Sequence, residues 1–219
     1  MRSNKKLLAS AKLYLILDSQ VLDHRALLQV LKDSVRGGID IVQLRDKNSS
    51  VKEILSFCKE ILKITKHKIP FIVNDRADVA LVSGADGLHV GQEDIDYLQA
   101  RKLMGSGKII GVSCQNLAHA LKAQAQGADY IGFGSVFQTK TKPGREAMDL
   151  GLLQKVIKKI HIPVFPIGGI DRKNIGQLIP LGVKRAAVCR DILLADDVGI
   201  SVMQIRNSLT ASRQVPRAG

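Results

Sequence analysis

The chain has 219 residues, 45% of them hydrophobic, with few aromatics and no tryptophan, which suits one well-buried domain about the size of a compact eight-unit β/α barrel. No apolar stretch reaches membrane-span length, the first twelve residues lack a signal core, and Cys58, Cys114 and Cys189 have no CxxC spacing. Membrane, disulfide-framework and zinc-site classes are therefore set aside in favour of reduced thiols in a cytoplasmic protein. The net charge of +13 is partly terminal, since Arg2, Lys5, Lys6 and Lys12 at one end and Arg206, Arg213 and Arg217 at the other supply seven basic residues. The body keeps 26 basic against 20 acidic residues, a balance suited to small anionic substrates. No aromatics interleave with the basic ends, so no specific nucleic-acid partner is expected.

Apolar, β-branched runs at 13–17, 39–44, 70–74, 87–90, 109–113, 129–133, 163–167 and 184–189 read as strands, with amphipathic helices between them. The helix after the second strand carries Ile54, Cys58 and Ile61 on one stripe, flanked by Leu55 and Leu62. It opens on S-V-K-E (50–53), a capping box in which Ser50 and Glu53 satisfy the first free amides. The last helix repeats the stripe with Val198, Val202, Ile205 and Leu209. Strands two, four, six and eight are each preceded by a glycine stop, at G-G-I-D (37), G-A-D (84), G-A-D (127) and G-V-K (182). Strands three and seven are preceded by Ile-Pro. Eight such units without a linker predict an α/β fold, a single (β/α)8 TIM barrel with parallel strands over 1–219, its ends frayed at about 1–11 and 210–219.

Polar chemistry gathers at the carboxyl ends of these strands, which a barrel brings to one face. In Q-L-R-D-K (43–47), Arg45 offers a planar fork for phosphate oxygens, Lys47 a compact charge, and Gln43 both a donor and an acceptor for a heterocycle edge. A loop decoration in which Arg45 and Lys47 pair with Asp46 explains the same residues. Asp75 and Asp94 end neighbouring strands and form, with these cations, the composition of a magnesium–diphosphate site. Taken singly, each is also explained as a helix cap or, for Asp75, as a partner of Arg76, and Glu93 stands beside Asp94. The loop T-K-T-K-P-G (139–144) combines hydroxyls and lysines as an anion cradle or as a solvated surface loop. Gly168–Gly169 precedes a helix opened by Asp171, where backbone amides can approach phosphate. His89 reads as a packed strand residue, and His24, His67, His119 and His161 as helix-surface or loop residues. Ser113 ends a strand without an evident base to activate it.

Taken in order, Q-L-R-D-K (43–47), V-N-D-R (73–76), G-L-H-V-G-Q-E-D (87–94), G-V-S (111–113), F-Q-T-K-T-K (137–142) and I-G-G-I (167–170) make the chain resemble the thiamine-phosphate synthase family over about residues 12–195. The resemblance implies an Mg²⁺-dependent transferase acting on two small molecules, 4-amino-2-methyl-5-(diphosphooxymethyl)pyrimidine and a carboxylated thiazole phosphate. It implies that Gln43, Arg45, Lys47, Asn74, Ser113 and Lys142 bind the pyrimidine diphosphate, with Arg45, Lys47, Ser113 and Lys142 carrying catalysis. Asp75 and Asp94 would hold magnesium, and Thr139, Lys140, Thr141, Gly169, Cys189 and Arg190 would surround the thiazole phosphate. Gln138 stands where the family pattern has proline, and Cys189-Arg190 where some members have a small residue and serine. The rival readings are a thiazole tautomerase of the same superfamily, another phosphate-sugar barrel enzyme, and a non-catalytic anion- or RNA-binding barrel. Retention of Lys47, Asp75, Asp94 and Lys142 together favours the synthase. A homo-oligomer is compatible with the sequence.

Overall fold

Along the first strand every side chain is buried, because odd and even positions face two different cores. Leu13, Leu15 and Leu17 point outward beneath the helices, and Tyr14 and Ile16 point into a separate interior cluster with Ile41, Ile72, Ile109, Tyr130 and Phe165. This double burial explains why the strands read as continuous apolar runs. The computed structural model describes residues 4–139 and 146–211.

Eight parallel strands alternate with helices. They are β1 (Leu13–Asp18), β2 (Ile41–Arg45), β3 (Phe71–Asn74), β4 (Gly87–Val90), β5 (Ile109–Cys114), β6 (Tyr130–Phe133), β7 (Val164–Pro166) and β8 (Ala186–Val188). Each lies within two residues of its expected bounds. The ladder runs β7-β6-β5-β4-β3-β2-β1-β8, with Leu15 opposite Val42 on one side and Val188 on the other. β7 and β8 touch without extending the ladder, so the sheet is a nearly closed barrel.

Helices α1 (Asn4–Ser10), α2 (His24–Gly37), α3 (Val51–Thr65), α4 (Ala77–Ser83), α5 (Tyr97–Met104), α6 (Leu117–Gln126), α7 (Leu150–Lys159), α8 (Arg190–Leu193) and α9 (Val198–Ala211) complete the fold. None of the described helices is long and apolar enough to cross a membrane. The Ser50–Glu53 capping box opens α3, and Ile54, Cys58 and Ile61 are buried beneath it. Gly38, Gly84, Gly127 and Gly182 close their helices in the left-handed region at φ of 95°, 75°, 91° and 89°. The segment after β7 departs from expectation. Asp171 does cap a turn, through the amides of Lys173 and Asn174, but the turn leads into a 3₁₀ helix at Ile175–Leu181 containing Pro180.

Residues 4–10, expected to fray, form α1 beneath the barrel. Leu8 and Ala11 join the interior cluster, Asn4 donates to Asp86 at 2.7 Å, and Lys5 pairs with Asp129 at 2.9 Å. Asp86 and Asp129 both stand at the amino-terminal ends of strands, opposite the face where the polar motifs gather.

Candidate active site

The inward residues of the upper barrel leave a cavity of about 470 Å³ at the carboxyl ends of the strands. Its floor is aromatic, with the Tyr14, Tyr130 and Phe165 rings meeting edge-on at centroid distances of 5.4–5.7 Å. Glycine at 111 is what admits this floor, because a Cβ there would fall inside the Tyr130 ring. The polar tips are linked. Gln43 Nε2 donates to the Tyr14 hydroxyl at 2.7 Å, the two tyrosine hydroxyls meet at 2.7 Å, and His89 Nδ1 lies 3.0 Å from the Tyr130 hydroxyl. His89 Nε2 then reaches Ser113 Oγ at 2.9 Å. Burial pushes both tyrosine hydroxyls above their ordinary pKa, so they stay neutral.

Gln43, Arg45, Asn74 and Ser113 line the cavity together with Thr139, Gly169, Cys189 and Arg190. Arg45 does not pair with Asp46. Its Nη1 lies 3.1 and 3.0 Å from the Asp18 carboxylate oxygens and 2.6 Å from Gln20 Oε1. Asp18 is fully buried and also accepts the Gln20 amide, so the end of β1 fixes the guanidinium at the end of β2. Asp46 turns away to His24, at 2.6 Å, and His24 stacks on Phe57 at 4.1 Å. Burial tends to raise the Asp46 carboxyl, but hydrogen bonds from His24 and from the Ser49 amide outweigh it and hold the pKa at about 2.

Lys47, Asp75 and Asp94 do not line the cavity; they lie at the same face, in the loops that leave β2, β3 and β4. Lys47 forms an ion pair with Asp75. Asp75 pairs neither with Arg76, which binds Asp78, nor caps a helix. It takes a left-handed backbone at φ 62° with its amide bonded to the His89 carbonyl. Asp94 is not the cap of α5, a role filled by Asp96. Its Oδ2 accepts the Gly91 amide at 2.7 Å. Burial raises the Asp94 carboxyl above its ordinary pKa, and the adjoining Asp75 carboxyl raises it further, against the Gly91 amide and Lys47. Two adjoining carboxylates beside one lysine form a hard-oxygen donor pair of the kind that can hold a divalent cation. Among the described residues no third acidic, histidine or cysteine ligand joins them. Glu93 is exposed.

On the far wall, Val136 and Phe137 donate their amides to the carbonyls of Ile167 and Gly168, both at 2.9 Å. This ties the loop after β6 to the end of β7. Gly168 and Gly169 hold φ of 102° and 63°, and a Cβ at 169 would strike the Gln138 carbonyl. Asn174 braces the turn by donating to the Gly169 carbonyl at 2.7 Å. Arg172, Arg190 and half-buried Cys189 complete this end, and Arg172 pairs with Asp191 at 3.2 Å. Lys140, Thr141 and Lys142 lie outside the described residues. Cys58 is buried outside the cavity and Cys114 lines it, and burial raises their thiols to about 11 and 12.

Sequence reasoning missed four contributors. Asp18 carried the same signal as the other sites, an acidic residue ending an apolar strand. Tyr14 and Tyr130 fall inside expected strands and Asn174 just after Asp171, and none of the three was singled out. His89 contacts Ser113, so the serine has an imidazole beside it. His24 is half-buried against Phe57, not a plain surface residue.

The family described as thiamine monophosphate synthase matches residues 13–192. The thiamine-phosphate synthase of Clostridioides difficile is 42% identical over 192 residues, covering 87% of this chain and 91% of its own. That of Clostridium acetobutylicum is 40% identical over 188 residues, covering 85% and 89%. A thiamine phosphate pyrophosphorylase structure from Pyrococcus furiosus superposes with a TM-score of 0.84 at 32% identity, covering 94% of this chain and 98% of that one.

Proposed function

The chain belongs to the thiamine monophosphate synthase family, and from that premise we propose that it is the transferase joining an aminopyrimidine methyl group to a thiazole phosphate. The substrates on this reading are 4-amino-2-methyl-5-(diphosphooxymethyl)pyrimidine and hydroxyethylthiazole phosphate, carboxylated or plain. The bond between the methylene carbon and the diphosphate oxygen breaks with its electron pair leaving on pyrophosphate. The electron-rich aminopyrimidine disperses the positive charge left on the methylene, and the thiazole nitrogen supplies the pair for the new carbon–nitrogen bond. A carboxylated thiazole then loses carbon dioxide, and the ring carbon that keeps the electron pair takes a proton from water, giving thiamine phosphate.

Catalysis on this reading is electrostatic and positional. Arg45, fixed by Asp18, and Lys47 face the charge growing on the leaving group, and Lys142 is assigned the same task. Gln43, Asn74 and Ser113 orient the pyrimidine. Thr139, Lys140, Thr141, Gly169, Cys189 and Arg190 take the thiazole phosphate. Asp75 and Asp94 would hold Mg²⁺, which when bound supplies positive charge against the diphosphate. The observation that carries the proposal is the Lys47–Asp75–Asp94 group on the same barrel face as a cavity whose wall holds Gln43, Arg45 and Ser113.

The test mixes purified protein with both substrates, with and without Mg²⁺, and follows thiamine phosphate through its fluorescent oxidised form together with pyrophosphate. Magnesium-dependent formation of both is expected. Folded protein that yields neither would sink the proposal. The second reading, isomerisation of the thiazole phosphate alone, is favoured by one observation, the 2.9 Å contact of His89 with Ser113. It gives no task to the acidic pair at that face, and incubation with that single substrate separates the two.

A further inference from the structure

Five side chains from five strands form one continuous hydrogen-bonded chain through the barrel: Gln43 on β2, Tyr14 on β1, Tyr130 on β6, His89 on β4 and Ser113 on β5. All five line the cavity. Its two ends, Gln43 and Ser113, are the residues assigned to the pyrimidine, so the chain depends on the synthase reading only for its use, not for its existence.

The bonding rules of each group fix the direction of the whole chain. With Gln43 Nε2 donating, the Tyr14 hydroxyl accepts and passes its own proton to Tyr130. Tyr130 then donates to His89 Nδ1, so a neutral imidazole carries its proton on Nε2 and donates to Ser113 Oγ. The serine proton is left to point into the cavity, while Gln43 shows the cavity its carbonyl oxygen. Turning the Gln43 amide over reverses every bond. The amide N–H groups then face the cavity, and the serine hydroxyl becomes an acceptor because its proton is used on His89. In either direction one end offers a donor and the other an acceptor.

We propose that Gln43, Tyr14, Tyr130, His89 and Ser113 act as a single polarity relay, in which the hydrogen-bonding character of Gln43 dictates the opposite character at Ser113. Tyr14, Tyr130 and His89 are positioning residues in this device. The relay favours an occupant that presents one donor and one acceptor, the pair an aminopyrimidine offers through its amino group and ring nitrogen. An occupant with two acceptors leaves one end of the relay unmatched, because the serine proton and the Gln43 N–H cannot both face the cavity. Neutrality of the buried tyrosines is what lets them transmit direction instead of losing protons. The surrounding glycines hold the relay in place, since a Cβ at Gly132 would come within 3.3 Å of His89 Cε1.

The test reads the His89 tautomer directly from ¹⁵N chemical shifts of histidine-labelled full-length protein, with the His89→Gln variant assigning the signals. Wild type is expected to show an unprotonated, pyridine-type Nδ1 and a protonated Nε2. Gln43→Glu can only accept at position 43, so it should reverse the relay and move the His89 proton to Nδ1. In a Tyr130→Phe background, which cuts the relay between the two residues, the same substitution should add no change. A doubly protonated His89 in wild type, a pyridine-type Nδ1 that persists in Gln43→Glu, or a response of equal size in the cut background would each overturn the proposal. The last outcome would mark a through-space charge effect. If Gln43→Glu does not fold, Tyr130→Phe alone must alter the Nδ1 shift well beyond the change from Phe165→Leu, a ring neighbour outside the relay. No substrate enters this measurement, so its failure leaves the synthase reading standing, and an inactive protein with the expected tautomers leaves the relay standing.

Discussion

Replacing Asp18 by asparagine isolates what the end of β1 does for Arg45. The carboxylate is fully buried and the guanidinium side chain only 13% exposed, with two contacts of 3.0–3.1 Å. At an effective dielectric of about 20 their gross attraction is roughly 5 kcal/mol, part of which desolvation cancels. Removing one partner of a buried pair costs about 3–5 kcal/mol, and asparagine keeps one acceptor oxygen, so a loss of about 2–3 kcal/mol is expected. For a chain of this size that lowers the melting temperature by roughly 4–12 °C. Arg45 also loses its anchor, and a placement penalty of about 1.4 kcal/mol would raise KM for the pyrimidine diphosphate about tenfold. Urea unfolding at neutral pH and steady-state kinetics measure the two effects. Paired replacement, Asp18→Leu with Arg45→Met, should recover much of the stability, because no buried charge is left alone, and none of the activity. A single Asp18→Asn variant within about 0.5 kcal/mol of wild type and with unchanged KM would refute the reasoning.

Lys47→Ala and Asp75→Asn are each expected to cut turnover by about a hundredfold or more. Their ion pair is 44% and 15% exposed at its two ends, so urea unfolding should move by no more than about 1 kcal/mol; full turnover in both variants would remove them from the site. Gly111→Ala drives a methyl into the Tyr130 ring and should destabilise by about 1–3 kcal/mol, read by the same unfolding measurement. A neutral result would mean that the ring is not where the floor requires it. Asp46, held at about 2, has a native pKa below its unfolded value of about 3.9. Its stabilisation is therefore complete above that unfolded value and lost as pH falls through about 2. The gap in urea midpoint between wild type and Asp46→Asn should narrow across that window, and a constant gap would count against the His24 and Ser49 bonds as its source.

Local grammar carried much of the architecture. Alternating runs located β1 to β8, and Ser50 with Glu53 announced the start of α3, because those signals depend on neighbours within a turn or a strand. The site was legible where a polar residue ended an apolar run, as at Arg45, Asp75 and Ser113. Partner choice was not. Asp46 is the nearest acid to Arg45 in sequence, yet closure of the barrel brings Asp18 against the guanidinium and sends Asp46 to His24. Tyr14 and Tyr130 are 116 positions apart, so their contact depends on barrel closure and has no counterpart in spacing. Asp94 and Asp96 are both plausible caps for α5, and the choice between them falls to a backbone turn at Gly91.

Helix α1 covers the end of the barrel opposite the site. With Leu8 and Ala11 packed under the aromatic floor, a molecule that comes in at the face of Lys47, Asp75 and Asp94 has to go out at that face. On the proposed reading a substrate seated deep is then detained beneath whichever molecule arrives second. The same opening would then serve for entry and for exit.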